Sequence, residues 1–282
     1  MAHVLHGTAD GRVTEPRSPV NGVSISADDS ASAVEFLGLR FAMLDMAQAI
    51  SAVKRASEGA EWCYVVTPNA AHLARLRFSD SILRPLYANA SFCFLDSRVI
   101  SIVARLTGLH PPPVVTGADL VEQLFLHEIT KSTKICLVGA NSGTAELIRT
   151  RFGVSRLSHV NPSLGFWRDE DEVVRTVSAI VANQADYTFL AVGSPQQEIL
   201  AARVATAGGA RGVGICVGAS IEFLTGAQKR APPFLRRMAL EWAYRLAHNP
   251  RRLGRRYMIE SPWGVVLVVR EAIRQHIIVR SS

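Results

Sequence analysis

The sequence predicts an α/β protein with a mostly parallel sheet, helices on both of its faces, and a basic amphipathic helical appendage at the C-terminus. Apolar segments rich in Val, Ile, Leu and Cys alternate with segments of helical periodicity over most of the chain. Such strands are typical of parallel sheets buried on both faces. The chain has 282 residues, of which 48% are hydrophobic, so one α/β domain with an appendage is possible.

The first half of the chain supplies three predicted strands. VEFLGLRF reads as a strand, and a helix follows from Leu44 to Ala56. WCYVVTPN predicts the second strand and AAHLARLRF the helix after it. SFCFLD predicts a short strand that ends at Asp96, and VISIVARLTG a helix that Gly108 closes. TGADLVEQLFLHEI is a further helix, which Thr116 or Asp119 could cap.

The same alternation continues in the second half. The predicted strands are KICLVG, DYTFLAVG and GVGICVG, and the segments that follow them are TAELIRTRF, EILAARVAT and ASIEFLTG. Ligands of open parallel sheets bind beyond the carboxyl ends of the strands. The residues at those ends are therefore the first candidates for a functional site.

Composition divides the chain into three parts. Residues 1–33 alternate Gly, Ser, Asp, Pro and Ala without an apolar period, which predicts a disordered leader that is not a signal peptide. Residues 34–228 form the predicted body, and residues 229–282 the appendage. No run approaches the roughly 18–20 apolar residues of a membrane span, because Arg270 interrupts the best candidate. The four cysteines are widely spaced, which favours reduced core residues in a cytosolic protein.

The net charge of +7 is concentrated in the tail. Between Thr225 and Ser282 there are twelve Lys/Arg and three Glu, which leaves −2 for the rest of the chain. Phe234, Met238, Trp242 and Leu246 recur every four residues and predict one apolar helical stripe. A basic helix of this kind fits an anionic membrane surface, packing on the body, or nucleic acid. Periodicity alone leaves these alternatives open.

Polar or glycine-rich turns follow five of the predicted strands. Glycine allows a tight turn and a close approach of the backbone to a ligand, and the next helix directs free N–H groups at it. A plain strand–helix connection explains the turn from Gly139 to Gly143 equally well, since it lacks the GxGxxG and P-loop patterns. The candidate substrate-binding residues are Thr67, Asn69, Gly139, Asn141, Gly143, Gly193, Ser194, Gln196, Gln197, Glu198 and Gly218.

Acidic residues suggest three different roles. Asp96 at a strand end could act as a general base on an acceptor hydroxyl, or cap the next helix. Glu198 could read sugar hydroxyls or favour the positive end of its own helix. Asp169 and Asp171 form an Asp-x-Asp pattern, but a solvated helix start explains it better. We therefore predict neither a metal site nor a cofactor.

The motifs together resemble a known family. TPNAAHL, FLDSRVISIVARLTG, VTGADL, ICLVGANSG, GSPQQE and a long segment from VGASIEFLTG to PRRLGRRY occur in one order. They are similar to the WecG/TagA/CpsF group, glycosyltransferase family 26. The resemblance implies a Rossmann-like body and an inverting, metal-independent transferase that uses a UDP-sugar as co-substrate. It further implies a polyprenyl-diphosphate-linked acceptor, peripheral attachment to the anionic cytoplasmic face of the bacterial inner membrane, and possible homo-oligomers.

The resemblance also assigns roles to single residues. Asp96 falls on the expected general base, and Thr67 and Asn69 on the TPN turn beside the substrates. Gln197 and Glu198 match the glutamine–glutamate pair of the family. Arg230 and Arg237 match tail arginines expected to steady the diphosphate. Gln196 and Val114 stand where a basic residue is frequent, which leaves the identity of the sugar open.

Two other functional classes fit less of the chain. A nucleotide-dependent oxidoreductase would need a GxGxxG turn and an acidic ribose-binding residue, and neither is present. A nucleic-acid-binding protein would explain the basic tail but not the polar strand ends.

Overall fold

The computed structural model describes residues 33–78 and 80–281. It begins with an antiparallel hairpin of β1 (Ala33–Phe36) and β2 (Leu39–Ala42). The prediction of one strand here was wrong, because Leu37 and Gly38 turn the chain with φ of +52° and +74°, a pair typical of tight hairpins. The predicted leader lies outside the described residues except for Ala33, which belongs to β1 and not to the leader.

A six-stranded parallel sheet forms the centre of the body, as predicted. Its strands are β3 (Trp62–Val66), β4 (Phe92–Cys93), β5 (Lys134–Gly139), β6 (Arg156–Val160), β7 (Tyr187–Ala191) and β8 (Gly212–Cys216). Their spatial order is β4-β3-β8-β7-β5-β6. The strand β6 was not predicted, because RLSHV is half polar; it lies at one edge of the sheet, where only one neighbour pairs with it.

Helices cover both faces of the sheet. They are α1 (Met46–Glu58), α2 (Ala70–Phe78), α3 (Asp80–Ala88), α4 (Arg98–Leu106), α5 (Gly117–His127), α6 (Ser142–Phe152), α7 (Glu170–Asn183), α8 (Gln196–Ala207) and α9 (Ser220–Thr225). Side-chain caps fix where several begin. Thr116 caps α5, and Asp169 caps α7 by accepting from the N–H groups of Asp171 and Glu172. The predicted solvated helix start at Asp169 is confirmed.

Two apolar clusters lie on opposite faces of the sheet. Alternate residues of β3 point to different clusters: Tyr64 and Val66 join one, and Cys63 and Val65 the other. This alternation is the period of two expected of a strand buried on both faces. All four cysteines are buried and unpaired, so the prediction of reduced core cysteines is confirmed.

The appendage consists of short helices and one long one. They are α10 (Pro233–Arg237), α11 (Glu241–His248), α12 (Pro250–Arg255), a π-helix (Arg256–Glu260) and α13 (Ser261–Ser281). The prediction of one continuous helical stripe was wrong, because the chain turns between α10 and α11, where Ala239 has φ of +59°. Phe234 lies on α10 and Trp242 on α11 as a result.

The long helix α13 packs against α2 and α4 of the body. Gly264 permits this close approach, since a Cβ there would lie 2.6 Å from the carbonyl oxygen of Ala70. Val268 and Ala272 continue the buried face at intervals of four residues. In the part of the chain described, no helix is both long enough and apolar enough to span a bilayer.

Candidate active site

The carboxyl ends of β3 and β4 bring three predicted residues together. The Asp96 N–H donates to the Pro68 carbonyl over 3.0 Å, which ties the end of β4 to the turn after β3. A Cβ added to Gly117 would lie 2.8 Å from Thr67 Oγ1 and 3.7 Å from Asp96 Oδ2. Gly117 therefore lets α5 begin against both side chains. Asn69 caps α2 by accepting from the N–H groups of Ala71 and His72.

Asp96 is not the cap of the following helix. Ser97 caps α4, and its hydroxyl accepts from the Ile100 N–H over 3.3 Å. The Asp96 carboxylate instead faces a cavity and accepts a hydrogen bond from the Gly117 backbone. Burial raises the pKa of Asp96 to about 7, and Glu241 contributes to the rise against the opposing effects of Arg245 and the Gly117 hydrogen bond. A carboxyl group with such a pKa can exchange protons near neutral pH.

This cavity lies between the body and the appendage and has a volume of about 540 Å³. The body contributes Asn69, Ala70, Asp96, Ser97, Arg98, Val99 and Thr116. The appendage contributes Arg236, Ala239, Glu241, Trp242, Arg245, Arg256, Tyr257, Ser261, Pro262, Val265 and Val266. The body wall thus carries the carboxylate of Asp96 beside Arg98, and the appendage wall carries three arginines, Glu241, aromatic rings and aliphatic side chains.

Three arginines of the appendage reach this cavity, and none of them was predicted to. Arg245 forms an ion pair with Glu241, and its guanidinium lies 4.4 Å from the centre of the Phe223 ring. The buried Nε atoms of Arg236 and Arg245 have no hydrogen-bond acceptor within the described part of the protein. Burial lowers the pKa of Arg256, and Arg75 and Arg245 lower it further. These cations form a ready site for an anion.

The two predicted tail arginines lie elsewhere. Arg237 is exposed and outside the cavity lining. Arg230 Nη2 lies 2.6 Å from Asp119 Oδ1, and Arg230 Nη1 lies 2.8 Å from Glu122 Oε2. The geometry gives Arg230 a structural role in the contact between appendage and body, while direct contact of either arginine with a diphosphate stays a prediction.

Asp119 is the centre of that contact. Besides Arg230, it pairs with Arg236 and with Arg98, each over 3.2 Å, and it accepts from the Thr116 hydroxyl over 2.7 Å. Burial alone would raise the pKa of Asp119, but Arg230, Thr116 and Arg98 outweigh it and hold the pKa below its ordinary value. A single carboxylate thus joins α5, α4 and the start of the appendage.

The remaining predicted residues also lie near the carboxyl ends of the strands, but outside the cavity lining. Gln197 and Glu198 are buried: Gln197 accepts from the Gly218 N–H over 2.9 Å and donates to Glu198 over 3.0 Å. Burial raises the pKa of Glu198.

Asn141 caps α6. Positive φ angles confirm the need for glycine at 139, 193 and 218. Substrate contacts stay predictions for all eleven candidate binding residues, including Gly143, Ser194 and Gln196.

Comparison with known proteins identifies the family of this chain. The model of the family described as Glycosyl transferase WecG/TagA/CpsF family matches residues 34–277. A curated relative from Bacillus spizizenii, an N-acetylglucosaminyldiphosphoundecaprenol N-acetyl-beta-D-mannosaminyltransferase, is 30% identical over 185 residues, which cover 65% of this chain and 70% of the relative. Since the family match includes the body, the cavity and nearly all of α13, this chain belongs to the WecG/TagA/CpsF family of glycosyl transferases.

Proposed function

We propose that this chain transfers a sugar from a UDP-sugar to a polyprenyl-diphosphate-linked saccharide in the synthesis of a bacterial surface polysaccharide, with inversion and without a metal ion. The observation that carries the proposal is the cavity, in which Asp96 faces Arg245 and Arg256. Its carboxyl group can accept a proton near neutral pH. The name of the B. spizizenii relative describes transfer to a sugar linked to undecaprenol through diphosphate, which supports the class of acceptor.

The reaction is a single displacement. Asp96 removes the proton of an acceptor hydroxyl as its oxygen bonds to the anomeric carbon of the donor. The bond from that carbon to the β-phosphate oxygen breaks on the opposite face, and UDP leaves with the electron pair. Arginine side chains supply the positive charge that the leaving diphosphate needs. The unpartnered Nε donors of Arg236 and Arg245 support this role.

The expected result is UDP release that depends on a lipid-linked acceptor. The purified chain is incubated with a panel of UDP-sugars and N-acetylglucosamine linked through diphosphate to a polyprenol, in the presence of EDTA. At least one donor is expected to give acceptor-dependent UDP, and nuclear magnetic resonance of the product is expected to show the anomeric configuration opposite to that of the donor. A requirement for added divalent cation, or retention of configuration, would contradict the mechanism.

We further propose that the appendage attaches the enzyme to an anionic membrane. Phe234 and Met238 are 60% and 63% exposed, and Met258 is 67% exposed. Arg237, Arg251 and Arg255 are exposed beside them. Apolar side chains next to arginines are typical of peripheral helices at an anionic bilayer surface.

Vesicle binding tests this attachment. The chain is expected to float with vesicles that contain anionic lipid and to stay unbound with neutral ones. Replacing both Phe234 and Met238 by serine should weaken binding by roughly tenfold or more, because two buried apolar side chains are lost. The matched control is Leu147→Ser, an exposed apolar residue of α6. The proposal would be contradicted if the double variant bound the vesicles as tightly as the wild type, or if the wild type were retained on DNA in preference to vesicles at the same salt concentration.

A further inference from the structure

A second cavity lies beyond the first, and the helices α4 and α13 are next to both. It has a volume of about 370 Å³ and is lined by Thr107, Val269, Ala272, Ile273, His276 and Ile277. The helix α4 starts at the first cavity with Arg98 and Val99, and Thr107, the residue after its end, lines the second cavity. The helix α13 starts at the first cavity with Ser261 and reaches the second at Val269. The two helices therefore run side by side from one cavity to the other.

One face of α13 extends from the first cavity to the second. Val265 and Val266 line the first cavity and Val269 the second. Residues three and four apart are neighbours on a helix surface, so Val266 and Val269 are adjacent on this face, and the exposed Arg270 lies beside them. From Pro262 to Ile277 the face is about 22 Å long at the rise of an α-helix. We call this feature the α4–α13 groove.

The groove is apolar. Apart from His276, the α13 residues that line the second cavity are apolar, namely Val269, Ala272, Ile273 and Ile277, and Ile273 is 55% accessible. Its two polar residues direct one polar atom each at the backbone: Thr107 Oγ1 donates to the Val103 carbonyl over 2.9 Å, and His276 Nδ1 lies 2.7 Å from the Ala272 carbonyl. A peptide would leave its backbone groups unsatisfied here, whereas a hydrocarbon chain would not.

We propose that the α4–α13 groove binds the first part of the polyprenyl chain of the acceptor. The assignment of this occupant rests on the proposed function. Polarity along the path matches the order of groups in such a lipid. The saccharide lies next to Asp96, the diphosphate next to Arg245 and Arg256, and the hydrocarbon continues along Val266, Val269 and Ile273.

Binding of isoprenyl diphosphates of increasing length tests the groove without any sugar. Inorganic diphosphate, geranyl, farnesyl and geranylgeranyl diphosphate are titrated calorimetrically into the full chain without vesicles. The wild type is expected to bind more tightly as the chain lengthens. Ile273→Asn should weaken the binding of geranylgeranyl diphosphate by roughly tenfold and leave the affinity for inorganic diphosphate unchanged, because the substitution removes one apolar contact with the hydrocarbon. Leu147→Asn, on α6, is the matched control and should change neither.

The alternatives give different results. Affinity that does not depend on chain length in the wild type, or an unchanged length dependence in Ile273→Asn, would overturn the groove. If Ile273→Asn weakens only flotation with vesicles, this face of α13 contacts the bilayer and the proposal is also wrong. Val269→Asn provides the same comparison if the first variant unfolds. If binding depends on chain length but no sugar is transferred, the proposed function is refuted and the groove proposal is not. If sugar is transferred but binding does not depend on chain length, the groove proposal is refuted and the proposed function is not.

Discussion

Replacing Asp96 by asparagine is expected to lower kcat by about 10²–10⁴-fold, the range for loss of a positioned general base. The amide keeps the shape of the carboxyl group but accepts no proton at neutral pH. Ser97, not Asp96, caps α4, so the helix keeps its cap in the variant. Turnover is measured as UDP release at saturating donor. Near-wild-type turnover of Asp96→Asn would show that the base is another group.

The pH dependence follows from the same carboxyl group. Its pKa of about 7 means that the base is ionised above neutral pH and protonated below. We therefore expect kcat/KM to rise about tenfold per pH unit below the pKa and to level off about one unit above it. The residual activity of Asp96→Asn should lack this limb. A wild-type profile that is flat between about pH 5 and 8 would contradict the assignment.

Stability provides the control for folding. The folded pKa of Asp96, about 7, lies above the value of about 3.9 for an unfolded aspartate. The native state therefore binds more protons between these values, and stability falls as the pH rises through them. Asp96→Asn removes the unfavourable free energy of ionising this carboxyl group in the folded state. The variant should be more stable by about 1–2 kcal/mol near pH 8, allowing for the partial exposure of the side chain, and similar to the wild type near pH 4.

The second large effect is expected for Arg256→Gln, which should lower kcat/KM by about 10²–10³-fold, as for other losses of a charge-stabilising donor. Arg245 is neutralised by Glu241, but among the described residues no carboxylate lies within ion-pair distance of Arg256. Its charge is therefore free to act on the leaving diphosphate. The effect is measured with initial rates at several donor concentrations.

Arg255→Gln is the matched control for this variant. Arg255 is the preceding residue, carries the same charge, and has a side chain that is 83% exposed. With the acceptor dissolved in detergent, so that attachment to a membrane does not contribute, removing its charge should change kcat/KM by less than about twofold, because exposed charges are screened by water and salt. If both variants lose activity equally, the loss reflects the net charge of the tail and not a contact made by Arg256 within the cavity.

The body of the fold was predictable from local patterns. Apolar runs identified five of the six strands of the sheet, and the position of Asp96 at a strand end followed from SFCFLD alone. The hairpin β1–β2 was missed because its turn contains Leu37 instead of the usual Asn or Asp before glycine. The edge strand β6 was missed because half of its residues are polar.

The appendage side of the site could not be predicted in the same way. Its arginines are chemically alike in the sequence, and the turn at Ala239 decides which of them face the cavity. The turn places Arg236 and Arg245 in the cavity lining and leaves Arg237 exposed. A regular helix through this segment, as the apolar spacing predicted, would have placed a different set of arginines in the cavity lining. Long-range contacts thus determine half of the site.

The carboxylates that hold the appendage have a consequence for truncated forms of the protein. Asp119 and Glu122 belong to α5 of the body, and the guanidinium of Arg230 that neutralises them belongs to the appendage. A body cut before Arg230 would lose the ion-pair partner of Glu122 and two partners of Asp119, Arg230 and Arg236, while Arg98 of the body would still pair with Asp119. The electrostatic potential at the mouth of the site would become less positive and would attract a diphosphate less strongly. The body and its appendage are electrostatic complements that form one site only together.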